Sequence, residues 1–176
     1  MTRAFCHIPT VTTDRLTLRG AQRSDFDAFA DMLASDRAIY MGGPYDRNGA
    51  WRLFANTLTT WPMDGFGAWI ITLSRTGAFL GDVGVTYPIR FPEPEMGWTL
   101  TADAEGKGYA FEASQAALAW YWANTDADSV VSYIDPANTR SRALAEKLGA
   151  TQDASAPLPI GETAEETIVY RHRRAA

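Results

Sequence analysis

Apolar positions recur along the chain with two periods, close to 2 and close to 3.6, and the switches between them divide it into elements. Residues 1 to 12 read as a mostly extended tail. Residues 13 to 19 alternate as a strand does, with Leu16 and Leu18 on one face. Ser24 with Asp27 makes a capping-box-like start, after which Phe26, Phe29, Ala30 and Leu33 recur at helical spacing. Gly42-Gly43-Pro44-Tyr45 breaks the chain. The pattern then predicts a helix over 47–61, with Trp51, Phe54, Ala55 and Leu58 as its apolar face. Two strands over about 66–75 and 78–87, joined at Arg75-Thr76-Gly77, make a hairpin. Pro88, Pro92 and Pro94 mark an irregular stretch. Beyond it the periods predict a strand at 95–101, a helix at 108–124, a strand at 129–135 and a helix at 139–148 with Gly149 as its stop. A loop rich in Pro, Ala and Gly covers 153–163, and a last strand covers 164–172.

No linker and no internal repeat interrupts this order, so residues 1–176 are expected to form a single domain with a full core. Hairpins followed by a βαβα unit predict an α/β protein with a mixed sheet and helices on both faces.

Composition narrows the function classes. Net charge is −5, which argues against a nucleic-acid partner. No apolar run reaches the length of a membrane span, and no basic segment followed by an apolar stretch opens the chain. Cys6 is the single cysteine, which excludes an internal disulfide and suits a reducing, cytoplasmic setting. Its place in the tail makes a catalytic role improbable.

The chemistry concentrates at Glu105-Gly106-Lys107-Gly108-Tyr109-Ala110, a glycine-rich turn opening the alanine-rich helix from Phe111 onward. Glycines permit a sharp turn and close approach of a ligand. The first turn of a helix leaves amide N–H groups without partners, and the helix dipole adds positive charge there. Together they make a site for phosphate or pyrophosphate, although a tight strand-to-helix turn without a ligand would read similarly. A Walker A loop is excluded because no Ser or Thr follows Gly106-Lys107. A dinucleotide fingerprint is excluded because a third glycine and an early βαβ unit are missing.

Strand-like Glu95-Met96-Gly97-Trp98-Thr99-Leu100 precedes this turn. Strand-like Val130-Val131-Ser132-Tyr133-Ile134 follows its helix and leads into Asn138-Thr139-Arg140-Ser141-Arg142 and a helix closed by Gly149. This order resembles the core of the GNAT N-acyltransferases, most closely their RimJ/RimL-like, ribosomal-protein-type branch. The family turn reads Gln or Arg, two free residues, Gly, one free residue, then Gly or Ala. Here the last positions match at Gly108 and Ala110, while Glu105 replaces the first. Thr13 to Arg19, Asp25 to Phe29, Gly65 to Ile71, Phe79 to Val85 and Thr167 to Arg171 resemble the remaining family elements, so the likeness covers most of the chain.

The resemblance implies a central, mostly antiparallel mixed sheet of about six to seven strands, with a splayed strand pair holding the cofactor. It implies acetyl-CoA as co-substrate, no metal, and direct transfer to a primary amine in a ternary complex. The acceptor would be a protein N-terminus, a peptide or a small-molecule amine, and the enzyme a monomer or homodimer. Its pyrophosphate would lie on amides from about Gly106 to Ala110, with Glu105, Lys107 and Tyr109 in the same turn and Trp98, Thr99 and Leu100 along the strand before it. Asn138 resembles the asparagine that bonds the pantetheine arm, unless it only caps the next helix. Arg140 and Arg142 add charge nearby, and Ser141 lies where the family places a hydroxyl near the cofactor sulfur. Glu105 suits a helix N-terminus but repels an anion bound there, so its side chain points away or affinity falls.

A neutral amine is required for attack. At pH 7 deprotonation costs about 1.4 kcal/mol for an α-amine and about 4.6 kcal/mol for lysine. A modest base suffices for the former. Glu95, which resembles the glutamate of the branch's Glu-Ile-Gly-Tyr motif, is the first candidate, followed by Glu93 and then Asp82. A backbone N–H near Trp98 or Thr99 would stabilise the oxyanion. Tyr45, Glu93 and Trp98 are expected to bind the acceptor between the first two helices and the sheet, with Tyr40, Met41, Trp61, Phe66 and Trp69 as further aromatic or apolar wall. The rival reading is a non-catalytic acyl-CoA-binding or partner-binding module of the same fold.

Overall fold

In a computed structural model residues 7–175 are described, and Cys6 lies outside them. The strands are β1 (Val11–Thr12), β2 (Leu16–Arg19), β3 (Ala68–Leu73), β4 (Phe79–Thr86), β5 (Glu95–Leu100), β6 (Ser129–Ile134), β7 (Thr151–Gln152) and β8 (Ile168–Arg173). The α-helices are α1 (Phe26–Leu33), α2 (Arg47–Asp64), α3 (Tyr109–Asn124) and α4 (Thr139–Lys147). The strands form one sheet in the order β1-β2-β3-β4-β5-β6-β8-β7. Among the described residues only β5 and β6 run parallel, because α3 crosses over between them.

The sheet has eight strands, beyond the six to seven expected. The surplus comes from β1 and β7, two-residue edge strands too short to carry a period. A helical turn at Asp36–Met41 was equally invisible to periodicity. Helix α2 also continues past Pro62 to Asp64, where Gly65 at φ +77° donates its N–H to the Trp61 carbonyl at 3.1 Å.

Alternation along the strands separates two cores. Trp69, Ile71, Val83, Val85, Met96 and Leu100 face α3, while Ile70 faces α1 and α2 with Phe29, Leu33 and Phe54. Trp61, Trp69 and Trp120 pack edge to face at centroid distances of 4.7 to 5.2 Å. Trp61 donates Nε1–H to the Ala68 carbonyl at 2.9 Å and Trp69 donates to that of Pro9 at 2.7 Å, so both indoles are buried with their polar atoms satisfied. A third cluster, Ile134, Ala145, Ala150 and Tyr170, seats α4 on β6 and β8.

The parallel ladder between β5 and β6 has one register pair, Glu95 with Val131, and Val131 N–H donates to the Pro94 carbonyl at 3.1 Å. The strands then part. At the point of parting the Ser132 hydroxyl donates to the Met96 carbonyl at 2.6 Å and lies 3.0 Å from His172 Nε2. Because the hydroxyl proton is committed to Met96, Nε2–H donates to Ser132 Oγ, and Nδ1 is left buried without a partner. Burial holds the His172 pKa down to about 4, so the ring is neutral.

Candidate active site

The glycine turn is shaped by its backbone. Gly106 and Gly108 take φ +73° and +78°, a region that side chains disfavour, and a Cβ on Gly106 would meet nothing within 4 Å. No side chain caps α3, and its first internal bond runs from Glu112 N–H to the Gly108 carbonyl at 3.1 Å. The N–H groups just before Glu112 therefore point outward unused. This open cradle of free amides at a helix N-terminus fits the phosphates of a CoA-type ligand.

The turn is held from the β1–β2 side. Arg15 donates Nη1–H to the Lys107 carbonyl at 3.0 Å, Nε–H to Glu112 at 2.6 Å, and stacks over Tyr109 at 4.7 Å. Glu112 also accepts from Thr13 Oγ1 at 2.6 Å. Burial works against its charge, but these hydrogen bonds outweigh it and hold the carboxyl below its ordinary range.

Glu105 is not free. Arg37 donates Nη1–H to it at 2.7 Å, and the Arg140 guanidinium pairs with its other oxygen. The Arg37 hydrogen bond, helped by Arg140, holds its pKa below the ordinary value. Arg140 thus faces the turn, whereas Arg142 donates to the Tyr170 hydroxyl at 3.3 Å and the Pro136 carbonyl at 3.1 Å.

At the splay lies a cavity of about 80 Å³ lined by Tyr40, Met41, Glu95, Gly97, Trp98, Tyr133, Asn138 and Ser141, among others. Its two sides follow from strand alternation. Trp98 faces the α4 side, where its indole N–H donates to the Ser141 hydroxyl at 3.3 Å. Asn138 Oδ1 accepts from Ser141 N–H at 3.1 Å, so the residue caps α4 and lines the cavity as well. Glu95, Gly97 and Thr99 face the opposite side, where Thr99 Oγ1 lies 3.6 Å from Met41 Sδ.

Glu95 opens to the cavity as a half-buried residue, yet its carboxyl is ringed by protein. Desolvation pushes its pKa up to about 7 against the Tyr133 N–H that faces it. Beside it, a Cβ on Gly97 would meet nothing but Glu95 Oε2, at 3.9 Å. Asp82, opposite Thr99 on β4, is also raised to about 7 by burial, opposed by the Thr99 hydroxyl, but lies outside the cavity lining.

Other expected wall residues sit elsewhere. Glu93 is paired through both oxygens to Arg171 at 2.7 and 2.9 Å, which anchors the loop before β5 to β8. Tyr45 packs against the α1–α2 core and donates its hydroxyl to the Met41 carbonyl. Trp61 and Trp69 are core, and Phe66 packs on Tyr121 at 5.2 Å. The space between α1, α2 and the sheet is filled, so the cavity opens at the strand ends instead. A larger depression of about 350 Å³ lies between α1 and α2, where Arg23 and Arg47 stack on Trp51 and Phe26, remote from the glycine turn. Tyr133 was legible only as part of a strand, and Arg37 carried no sequence signal, since it belongs to no motif or periodic face.

Comparison with known proteins bears on the fold and the family. Residues 15–151 match the acetyltransferase (GNAT) domain family. The chain is 39% identical to an acetyltransferase of Agrobacterium tumefaciens over 99% of both chains, with a TM-score of 0.89. It is 30% identical over 149 residues, 79% of this chain and 83% of the relative, to the uncharacterized protein YkkB of Bacillus subtilis. RimL, a ribosomal L7/L12 α-N-protein acetyltransferase solved with coenzyme A, shares the fold at a TM-score of 0.74 and 16% identity, over 94% of this chain and 98% of its own. With most of its length matched, from just before β2 to the start of β7, the chain belongs to the GNAT acetyltransferase family.

Proposed function

We propose that the protein moves an acetyl group from acetyl-CoA to a primary amine, by direct attack with both substrates bound. The observation that carries this reading is Glu95. Its carboxyl, with a pKa of about 7, stands beside the unobstructed face of Gly97 where the two strands part. An amine approaching over Gly97 meets a base tuned near neutral pH.

Acetyl-CoA would supply the activated acyl carbonyl. The amides of the 106–110 turn would bind its phosphates, with Lys107 and Arg140 adding charge. Asn138 keeps its amide NH2 for a ligand while its oxygen caps α4. Along β5 the backbone groups of residues 94, 96 and 98 turn toward β6, and pairing ends before Trp98. The Trp98 N–H is therefore aimed into the gap, where it would stabilise charge on the carbonyl oxygen. Ser141, whose oxygen accepts from Trp98, keeps its hydroxyl free to donate a hydrogen bond to the departing thiolate, which takes its proton from solvent. Glu95 takes the amine proton. The protein N-terminus is favoured as acceptor over lysine because its α-amine is the easier to deprotonate.

The test is calorimetric titration of acetyl-CoA, with dephospho-CoA for comparison, followed by an amine panel read by thiol release. Binding with turnover on at least one amine is expected. Binding without turnover on any amine would favour the non-catalytic module, and absence of binding would refute the cofactor assignment.

A further inference from the structure

The chain carries a glutamate where an anion is to bind. Glu105 lies one residue before the glycine cradle, in the position that would oppose the cofactor's phosphates. Two arginines from separate parts of the fold converge on it. Arg37 comes from the 36–41 turn and is fixed at two points, donating Nε–H to the Leu100 carbonyl at 2.5 Å and Nη1–H to Glu105 at 2.7 Å. It is the less exposed of the pair, at 21% against 66% for Arg140. Arg140, in the first turn of α4, makes its one side-chain hydrogen bond among the described residues with Glu105. Arg37 is thus tied down at two points, while Arg140 is exposed and held by Glu105 alone among the described residues.

We propose that Arg37 is a positioning residue that neutralises Glu105, so that Glu105 holds Arg140 beside the cradle and releases it to the cofactor's phosphates. The inference rests on the acetyl-CoA reading above. The three charges sum to +1 as they stand. When a phosphate recruits Arg140, Glu105 keeps Arg37 as its counter-ion and its charge stays compensated. Without Arg37 the phosphates and Glu105 compete for the same guanidinium, and repel each other. Arg37 therefore serves binding through Glu105, without touching the ligand.

The test is a double-mutant cycle on CoA affinity, measured calorimetrically with coenzyme A on variants whose fold is checked by circular dichroism. Arg37→Gln is expected to weaken CoA binding by about ten- to a hundredfold. Glu105→Gln is expected to bind as tightly as the parent or more tightly. In the Arg37→Gln/Glu105→Gln double variant the loss disappears to within about threefold, since the charge needing compensation is gone. Arg37→Lys, which keeps the charge and serves if Arg37→Gln fails to fold, is expected to stay within about threefold of the parent. A loss that persists in the double variant, or an Arg37→Lys as weak as Arg37→Gln, would overturn the inference while the cofactor reading stands. A parent protein that fails to bind CoA would overturn the cofactor reading, and this inference with it.

Discussion

The Ser132 hydroxyl donates to the Met96 carbonyl across 2.6 Å, at the point where β6 leaves β5. A side chain thus occupies a strand carbonyl facing the neighbouring strand, and the same hydroxyl accepts from His172 on β8. All three residues are buried. The opening that forms the cavity is therefore held by a specific hydrogen-bonded chain across three strands. Ser132→Ala leaves the Met96 carbonyl and the His172 Nε2–H unpaired. It is expected to cost about 1–3 kcal/mol in chemical denaturation. A variant as stable as the parent would show that the chain contributes nothing to the fold.

His172 makes the fold acid-sensitive. Its pKa is about 4 in the native protein and 6.5 when solvated. The unfolded chain thus binds the proton first, so the stability this residue provides is complete above pH 6.5 and is lost as pH falls through about 4. The difference corresponds to on the order of 3 kcal/mol. His172→Asn removes the titration, and its urea midpoint should depend less on pH between 6.5 and 4 than that of the parent.

Glu95→Gln tests the base. It is expected to lower kcat by about a hundredfold or more while sparing CoA affinity. In the parent, kcat/KM should rise as pH rises through about 7, where Glu95 loses its proton. The variant should lose that limb and keep the one set by the acceptor amine. The stability sign is opposite to that of His172. A carboxyl raised from 4.5 to about 7 stabilises the fold most below pH 4.5, a contribution lost as pH rises through 7. Glu95→Gln should therefore melt higher than the parent at pH 8. A Glu95→Gln protein with parental turnover would remove this residue from the chemistry.

Gly97 tests the path of the acceptor. Its added Cβ has room, so Gly97→Leu should fold, with the side chain filling the space beside Glu95. Acceptor kcat/KM is expected to fall by about a hundredfold with the CoA dissociation constant unchanged. Equal loss of CoA affinity would place the cofactor, and not the amine, over Gly97.

Much of this was legible in the residue order. Period 2 at Leu16 and Leu18 and period 3.6 at Phe26, Phe29 and Leu33 are local properties, because a strand or helix face repeats within a few residues. The glycine turn was legible too, since positive φ at Gly106 and Gly108 needs glycine itself and the free amides follow from a helix starting there. Glu95 stood out through its resemblance to a motif glutamate, whereas the role of Gly97 emerged only from the fold, where strand alternation puts both on one face. β1 and β7 escaped because two residues cannot show a period, and their pairing is decided by their neighbours.

Tertiary structure alone decided what each charged side chain meets. Glu93 and Glu95 are sequence neighbours of the same type, yet Arg171 from β8 neutralises the first while burial raises the pKa of the second. Glu105 reads as a defect in a phosphate-binding turn until Arg37 and Arg140, 68 and 35 residues away along the chain, are brought to it. The elements and the turn were set locally, because propensity, period and glycine conformation act over a few residues. Partner choice, desolvation and pKa act through space, so only the folded chain could decide which carboxyl is free to work.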